Sequence, residues 1–117
     1  MNPRVQRLLP DALLASADRD PSKIAIIADG GSQSYETLLD ASLRFSRALQ
    51  DGGVRRGDRV AIYLDNSFHA VVAVYGTLLA GGVLTVINPQ TKADKLAYML
   101  ADSEAVALVT ERTLTPE

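Results

Sequence analysis

Two glycine-spaced runs and one short serine–histidine cluster are the parts of this chain whose residue types could do chemistry. Gly76-Thr-Leu-Leu-Ala-Gly81 has the glycine spacing of a phosphate-cradling loop. Such a loop needs Lys and then Ser or Thr immediately after the second glycine. Those positions hold Gly82 and Val83 instead. The run also closes a helical pattern, so its N–H groups are not presented to an anion as they are at a helix start. Gly52-Gly-Val-Arg-Arg-Gly57 follows a helical pattern and leads into a strand. A dinucleotide fingerprint needs the opposite order, strand to helix. Both runs therefore read as helix caps and turns. Asp65, Ser67 and His69 contain the residue types of a hydrolase triad. A triad is assembled from separated segments, and a nucleophile elbow needs glycines around its serine. Ser67 is better placed to cap a helix. His69 falls in the first turn of that helix, beside the C-terminal end of a strand, where it could line a ligand crevice.

The remaining polar residues point to structure. Asp18, Asp20, Asp51, Asp58, Asp102 and Glu104 all sit at expected element ends, where capping and hydration account for them. Tyr63 and Tyr75 are expected to fill the core with the hydroxyl at its edge. The chain has no cysteine and one histidine, which excludes disulfides, thiolate metal sites and a histidine metal cluster, and fits a reducing, cytoplasmic setting. Net charge is −2 with the signs interspersed, so no clustered basic face marks a nucleic-acid partner. Arg55-Arg56 is a single basic pair in a turn, read as solvated loop charge. The N-terminus lacks the long apolar stretch of a secretory signal. From Asn66 to Thr91 no Asp, Glu, Lys or Arg occurs, a length that could cross a bilayer. Gly81-Gly82 splits that run into a helix-like half and a β-branched half, and Asn88-Pro89 closes it, so a buried helix followed by a buried strand is expected rather than a membrane span.

These positions need elements to hold them. At 117 residues the chain is one domain at most, and 47% hydrophobic with 22% charged residues is ordinary for a globular protein. A short helix is expected over residues 8–17, with Pro10 in its first turn and Leu9, Leu13, Leu14 and Ala17 on one stripe. Lys23–Ala28 reads as a strand, Asp29-Gly30-Gly31 as a turn and Ser32–Ser34 as the return of a hairpin. Ser34 caps a helix from Tyr35 to about Asp51, with Leu38, Leu39, Leu43, Phe45, Ala48 and Leu49 on its apolar face. Gly52-Gly53 ends it. Arg59–Leu64 is a strand. Asn66-Ser67 opens a helix over roughly 68–80, in which Ala70, Ala73, Gly76 and Ala80 place small groups at helical spacing. Val83–Ile87 is a buried strand. Thr91 is expected to cap a helix over about 92–101, with Asp94 completing a capping-box-like pair. Residues 105–110 form a last strand, and residues 1–7 and 111–117 are expected to fray. The alternation from residue 58 onward predicts an α/β fold: βαβ units in a mostly parallel sheet flanked by helices, preceded by a helix and a hairpin.

The ordered motifs resemble the opening segment of the adenylate-forming enzymes, which include acyl-CoA synthetases, aryl-CoA ligases, luciferases and peptide-synthetase adenylation domains. The resemblance covers roughly residues 8–110. Ser34-Tyr-Glu-Thr-Leu38 is similar to the family's T-Y-x-E-L helix start, and Gly52-Gly-Val54 and Gly57-Asp-Arg-Val60 follow in order. Asp65-Asn-Ser67 is similar to its x-N-S/C strand end, and Ala80-Gly-Gly-Val83 with Asn88-Pro89 to its A-G-A-V…N-P. Lys95-Leu-Ala-Tyr-Met-Leu100 with Asp102-Ser103 is similar to E-L-x-Y-x-L-x-D-S. Asn88-Pro-Gln-Thr91 leans slightly toward acyl- or aryl-CoA ligases. Departures are Thr37 where the family has an acidic residue, with Glu36 one position earlier, His69 where Glu or Pro is frequent nearby, and Lys95 in place of Glu. They are changes of surface type and leave the fold expectation intact.

The resemblance implies an enzyme that activates a carboxylate with ATP and Mg, forms an acyl-adenylate and pyrophosphate, and passes the acyl group to the thiol of coenzyme A or a carrier protein. The phosphate loop, the nucleotide contacts and the catalytic lysine of that family come later, and none has a counterpart before Glu117. No catalytic, cofactor or metal residue is therefore carried over; His69 alone is kept as crevice-lining. Residues 1–117 are expected to be the N-terminal subdomain, a non-catalytic scaffold of an incomplete unit whose partner is the remainder of the ligase chain. The rival expectation is a standalone α/β binding or dimerisation module, pairing with a separate catalytic chain or with a second copy through its apolar helix over 68–80. A small unrelated nucleotide binder is the third reading.

Overall fold

The elements follow one another as α1 (Pro3–Arg19), β1 (Ile24–Ala28), β2 (Gly31–Ser34), α2 (Tyr35–Asp51), β3 (Arg59–Tyr63), α3 (Phe68–Leu79), β4 (Val83–Val86), α4 (Ala93–Ser103) and β5 (Ala107–Thr110). They belong to a computed structural model that describes residues 3–28, 31–65 and 67–110. β1 and β2 form an antiparallel hairpin, and the other strands a separate parallel sheet in the order β4-β3-β5. Asp29 and Gly30 of the expected hairpin turn lie outside the described residues, as do residues 1, 2 and 111–117.

β3 is the centre of the sheet. Val60, Ala61, Ile62 and Tyr63 are all buried, as expected of a strand covered on both faces. Its register pairs Ala61 with Thr85 and Leu108, and Ile62 with Val86 and Val109. Because β4 and β5 flank β3 on opposite sides, right-handed crossovers send α3 to one face and α4 to the other. The α4 face is built from Ala61, Tyr63 and Ile87 against Leu96, with Met99 and Leu100 beside them.

α3 is held between the sheet and α2. Its stripe of small residues works as expected: Ala73 and Ala80 are buried and Gly76 is enclosed. A Cβ on Gly76 would lie 2.6 Å from Phe45 Cδ1 and 3.1 Å from the Ser42 carbonyl oxygen, so the two helices meet almost backbone to backbone. The facing side of α2 differs from the expected apolar face. Ser42 and Ser46 are buried there, while Leu43 is 48% exposed and Ala48 is also at the surface. Leu38, Ser42 and Ser46 recur at four-residue spacing, so they share one side of the helix. Small serines admit the approach that leucines would block. Of the apolar face that the sequence offers for docking, Val72, Ala73, Gly76, Thr77 and Leu78 are already buried within the fold.

α1 differs in extent. It begins at Pro3 rather than residue 8, so Pro3, not Pro10, takes the opening position that suits proline. Pro10 lies within the helix, where it leaves one backbone carbonyl without its usual donor. Leu13 and Ala17 are buried, and Leu13 joins Leu38 and Val72 in one cluster. Leu14, expected on the same stripe, is 41% exposed.

Helix starts follow serine chemistry twice. Ser34 accepts a bond from the Thr37 N–H, and Ser67 from the Ala70 N–H at 3.2 Å. The third start departs from expectation. Lys92, not Thr91, is the N-cap of α4, with no side-chain cap, and Asp94 Oδ1 accepts from the adjacent Lys95 N–H. The Thr91 carbonyl has another task, described below.

Three expectations about stability follow. Gly76→Ala gains roughly 1 kcal/mol of helix propensity and costs about 1–3 kcal/mol through overpacking against Phe45 and the Ser42 backbone, so urea unfolding should show a net loss. Ser42→Ala in the same experiment should leave stability unchanged or raise it, because the buried Ser42 hydroxyl has no hydrogen-bond partner. Ser67→Ala should cost about 1 kcal/mol as a lost cap, and Ser67→Asp should recover most of it. Equal losses from both Ser67 variants would contradict the capping role.

Candidate functional site

The place to look for a ligand in such a sheet is the carboxyl end of its strands, where consecutive connections leave for opposite faces. Here that point lies between β3, which continues into α3, and β4, which continues into α4. A groove of about 450 Å³ opens there, lined by Asn88, Gln90, Thr91, Lys92, Asp94 and Lys95. Its wall is polar, with two lysines against one aspartate.

Hydrogen bonds shape the segment that makes this wall. The Ile87 N–H donates to the Ile62 carbonyl at 2.8 Å, extending the sheet by one residue. Asn88 Oδ1 accepts from the Gln90 N–H, and the Asn88 carbonyl from the Thr91 N–H. This is the local self-bonding that makes Asn a turn former. The Tyr63 hydroxyl then donates to the Thr91 carbonyl at 2.8 Å. Tyr63 is 4% exposed; its ring lies in the core under α4 and its hydroxyl at the core's edge. The sequence indicated that arrangement, because a buried tyrosine hydroxyl needs a partner. It did not identify the partner, which stands 28 residues away.

The other residues singled out by sequence are placed as follows. His69 is exposed on the first turn of α3, with its ring edge to face against Phe68 at 5.9 Å between centroids. It belongs to the same sheet edge as the groove but is not among the residues lining it. Asp65 is exposed, and Ser67 Oγ is taken by the cap of α3. Among the described residues no hydrogen bond joins His69 to Asp65 or Ser67, so the triad types are near in sequence without being assembled. No three carboxylate or imidazole groups among the described residues converge as a metal site. No helix among them is long and apolar enough to cross a membrane; the charge-free run is divided between α3 and β4.

The glycine runs lie at the opposite edge of the sheet. Gly81 has φ +81°, a left-handed turn that favours glycine, and its carbonyl accepts from the Gly57 N–H at 2.8 Å. The Val83 N–H donates to the Asp58 carbonyl at 2.8 Å. The two glycine-bearing turns are thus bonded to each other through their backbones. A hollow of about 700 Å³ beside them is lined by Arg55 and Arg56 together with the last turns of α2 and α3. Helix C-termini carry partial negative charge and attract cations, so the exposed arginine pair complements those ends. The stem of Arg56 packs across Gly81.

Known proteins share both this sequence and this fold. The sequence model of the AMP-binding enzyme family matches residues 13–117. The chain is 34% identical, over 98% of its length, to a long-chain-fatty-acid–CoA ligase of Bacillus subtilis, of which it covers 20%. It is 33% identical over 81% of its length to bacitracin synthase 1 of Bacillus licheniformis, of which it covers 2%. Among solved structures, the nonribosomal peptide synthetase FmoA3 superposes with a TM-score of 0.86 at 30% identity, over 91% of this chain and 11% of that one. The N-terminal subdomain of Klebsiella oxytoca NpsA has the same fold, with a TM-score of 0.85 at 21% identity over 93% of this chain and 28% of that one. The chain thus spans a fifth or less of those two curated relatives and matches an N-terminal part of such enzymes, and on the family match it belongs to the AMP-binding enzyme family.

Proposed function

We propose that these 117 residues are a non-catalytic scaffold segment of an ATP-dependent carboxylate-activating ligase. The complete enzyme would join a carboxylate to the AMP part of ATP, release pyrophosphate, and pass the acyl group to the thiol of coenzyme A or a carrier protein. The observation that carries this reading is the use made of each chemically suggestive residue. Ser67 caps a helix, Gly76 admits a neighbouring helix, and Gly81 turns the chain into β4. Each has a structural task that leaves no reason to assign it a chemical one.

The contribution of the segment would be mechanical. The buried β3 and the α2–α3 contact hold the carboxyl edge of the sheet in place. His69, exposed on the turn that leaves β3, is available to line a crevice at that edge. Mg would be held elsewhere, because the described acidic groups do not converge: Asp58 is bonded to the Arg55 N–H and Asp94 to the Lys95 N–H. No step through the metal is assigned to this chain. Names of relatives include both fatty-acid–CoA ligases and peptide synthetases, so the acceptor thiol stays general. A cytoplasmic setting suits a chain without cysteine.

One observation favours the rival reading of a binding or dimerisation module. Val86 on β4 is 65% exposed and Leu108 on β5 is 38% exposed, and among the described residues neither strand has a second neighbour in the sheet. Unprotected edges invite another strand. In the ligase reading, the remainder of the chain is that neighbour.

ATP–pyrophosphate exchange with a panel of carboxylates tests the proposal. The native polypeptide, with whatever follows residue 117, is expected to exchange, and the 117-residue chain to stay at background. Turnover by the short chain would sink the scaffold reading. Absence of exchange by the native polypeptide with every carboxylate would sink the ligase reading.

A further inference from the structure

We propose that Tyr63 is a positioning residue for the carboxyl edge of the sheet: its hydroxyl sets the course of residues 88–92 and so the shape of the groove they line. This rests on the ligase reading for its functional half and on geometry for its structural half.

The segment between β4 and α4 has two kinds of restraint. One is local: the Asn88 side chain and carbonyl hold the Gln90 and Thr91 N–H groups. Local bonds fix the form of a turn but not where it stands relative to the sheet. The other kind is remote. Up to Ile87 the sheet itself holds the chain, through the Ile62 carbonyl. Beyond Ile87, the bond from Tyr63 Oη to the Thr91 carbonyl ties the segment back to β3, immediately before the N-cap of α4. That N-cap has no side-chain bond of its own. α4 is therefore started by the position of Thr91 rather than by capping chemistry. The rings and aliphatic groups beneath, Tyr63, Ile87 and Leu96, anchor the first turns of α4 by non-directional packing, which tolerates sliding that a hydrogen bond does not.

Phenylalanine at position 63 keeps the ring in the core and removes only the tie. The test compares the native polypeptide with its Tyr63→Phe variant. The first readout is hydrogen exchange of the backbone amides of residues 90–92, expected to quicken about tenfold while the amides of β3 stay within twofold. The second is the kinetics of ATP–pyrophosphate exchange and of acyl transfer to the thiol. KM for at least one of the three substrates, carboxylate, ATP or thiol, should rise threefold or more, with kcat within twofold. A tie that served stability alone would lower the melting temperature and leave every KM unchanged, and that result overturns the proposal. Unchanged exchange at residues 90–92 overturns it as well. If the unsubstituted polypeptide shows no pyrophosphate exchange, the ligase reading has failed instead, and amide exchange alone decides the role of Tyr63.

Discussion

The closeness of α2 and α3 is the constraint on which the other placements depend. A helix pair ordinarily packs at 8–10 Å, a distance set by the side chains between the axes. Gly76 against Ser42 and Phe45 removes most of that spacer. The consequence reaches both sides of α3. On one side α2 can seat Leu38 beside Val72 and still leave a place for Leu13 of α1. On the other, α3 lies flat enough to close the turn at Gly81 against the turn at Gly57. The buried hydroxyl of Ser42, which has no partner, shows what this geometry costs. It forfeits on the order of 1–3 kcal/mol, roughly what full burial of one leucine supplies. Small size, not polarity, is what the interface requires at that position.

The fold divides its work between the two edges of the parallel sheet. At the amino edge, glycine turns interlock by backbone hydrogen bonds, and an arginine pair meets the negative ends of α2 and α3. The Gly57, Asp58, Gly82 and Val83 N–H groups at that edge are taken by backbone carbonyls. At the carboxyl edge, α3 begins with its N-terminus, the Asn88 turn is built from polar atoms, and a lysine-bearing groove opens. This asymmetry is inherent in βαβ connectivity: helices run antiparallel to the strands they follow, so helix starts and strand ends share one edge. A segment can therefore carry glycine-rich motifs at one edge of its sheet and a polar groove at the other.

How much of this was legible in the sequence depended on the range of the interaction. Ser34 and Ser67 were readable as caps because the bond spans three residues. β3 was readable as a strand from its apolar run, and the parallel arrangement from the strand–helix alternation; β4, expected to be buried, is only half-buried, with Val86 exposed before the buried Ile87. Helix faces were less legible. Leu43 looks like core and Ser46 like surface until the partner helix is known, because hydrophobicity predicts burial only where space allows a large group. The start of α4 differs from the sequence expectation for a related reason. Thr91 has the side chain of a cap, yet its carbonyl is held by a tyrosine from another strand, and that shifts the helix start by one residue. The start at Pro3 was missed because Pro10 looked like the more natural opening, and the chain tolerates it inside a helix.

The residues that resembled a catalytic kit turn out to be informative in a different sense. Serine, glycine and aspartate serve at element boundaries because short polar or flexible residues can satisfy or accommodate backbone groups that helices and strands leave open, and the same residue types, with histidine, serve active sites for a different reason, nucleophilic and proton-transfer chemistry. Proximity in sequence selects for the second use, since a cap or turn is made by neighbours. Chemistry is assembled by residues far apart in the chain and close in space. Judged by that criterion, Asp65, Ser67 and His69 belong to a boundary. The long-range contact that does converge on the carboxyl edge is Tyr63 with Thr91, a tie between two polypeptide segments. It positions groups that could meet a ligand without supplying a reactive one, as a scaffold segment of a larger enzyme would be expected to do.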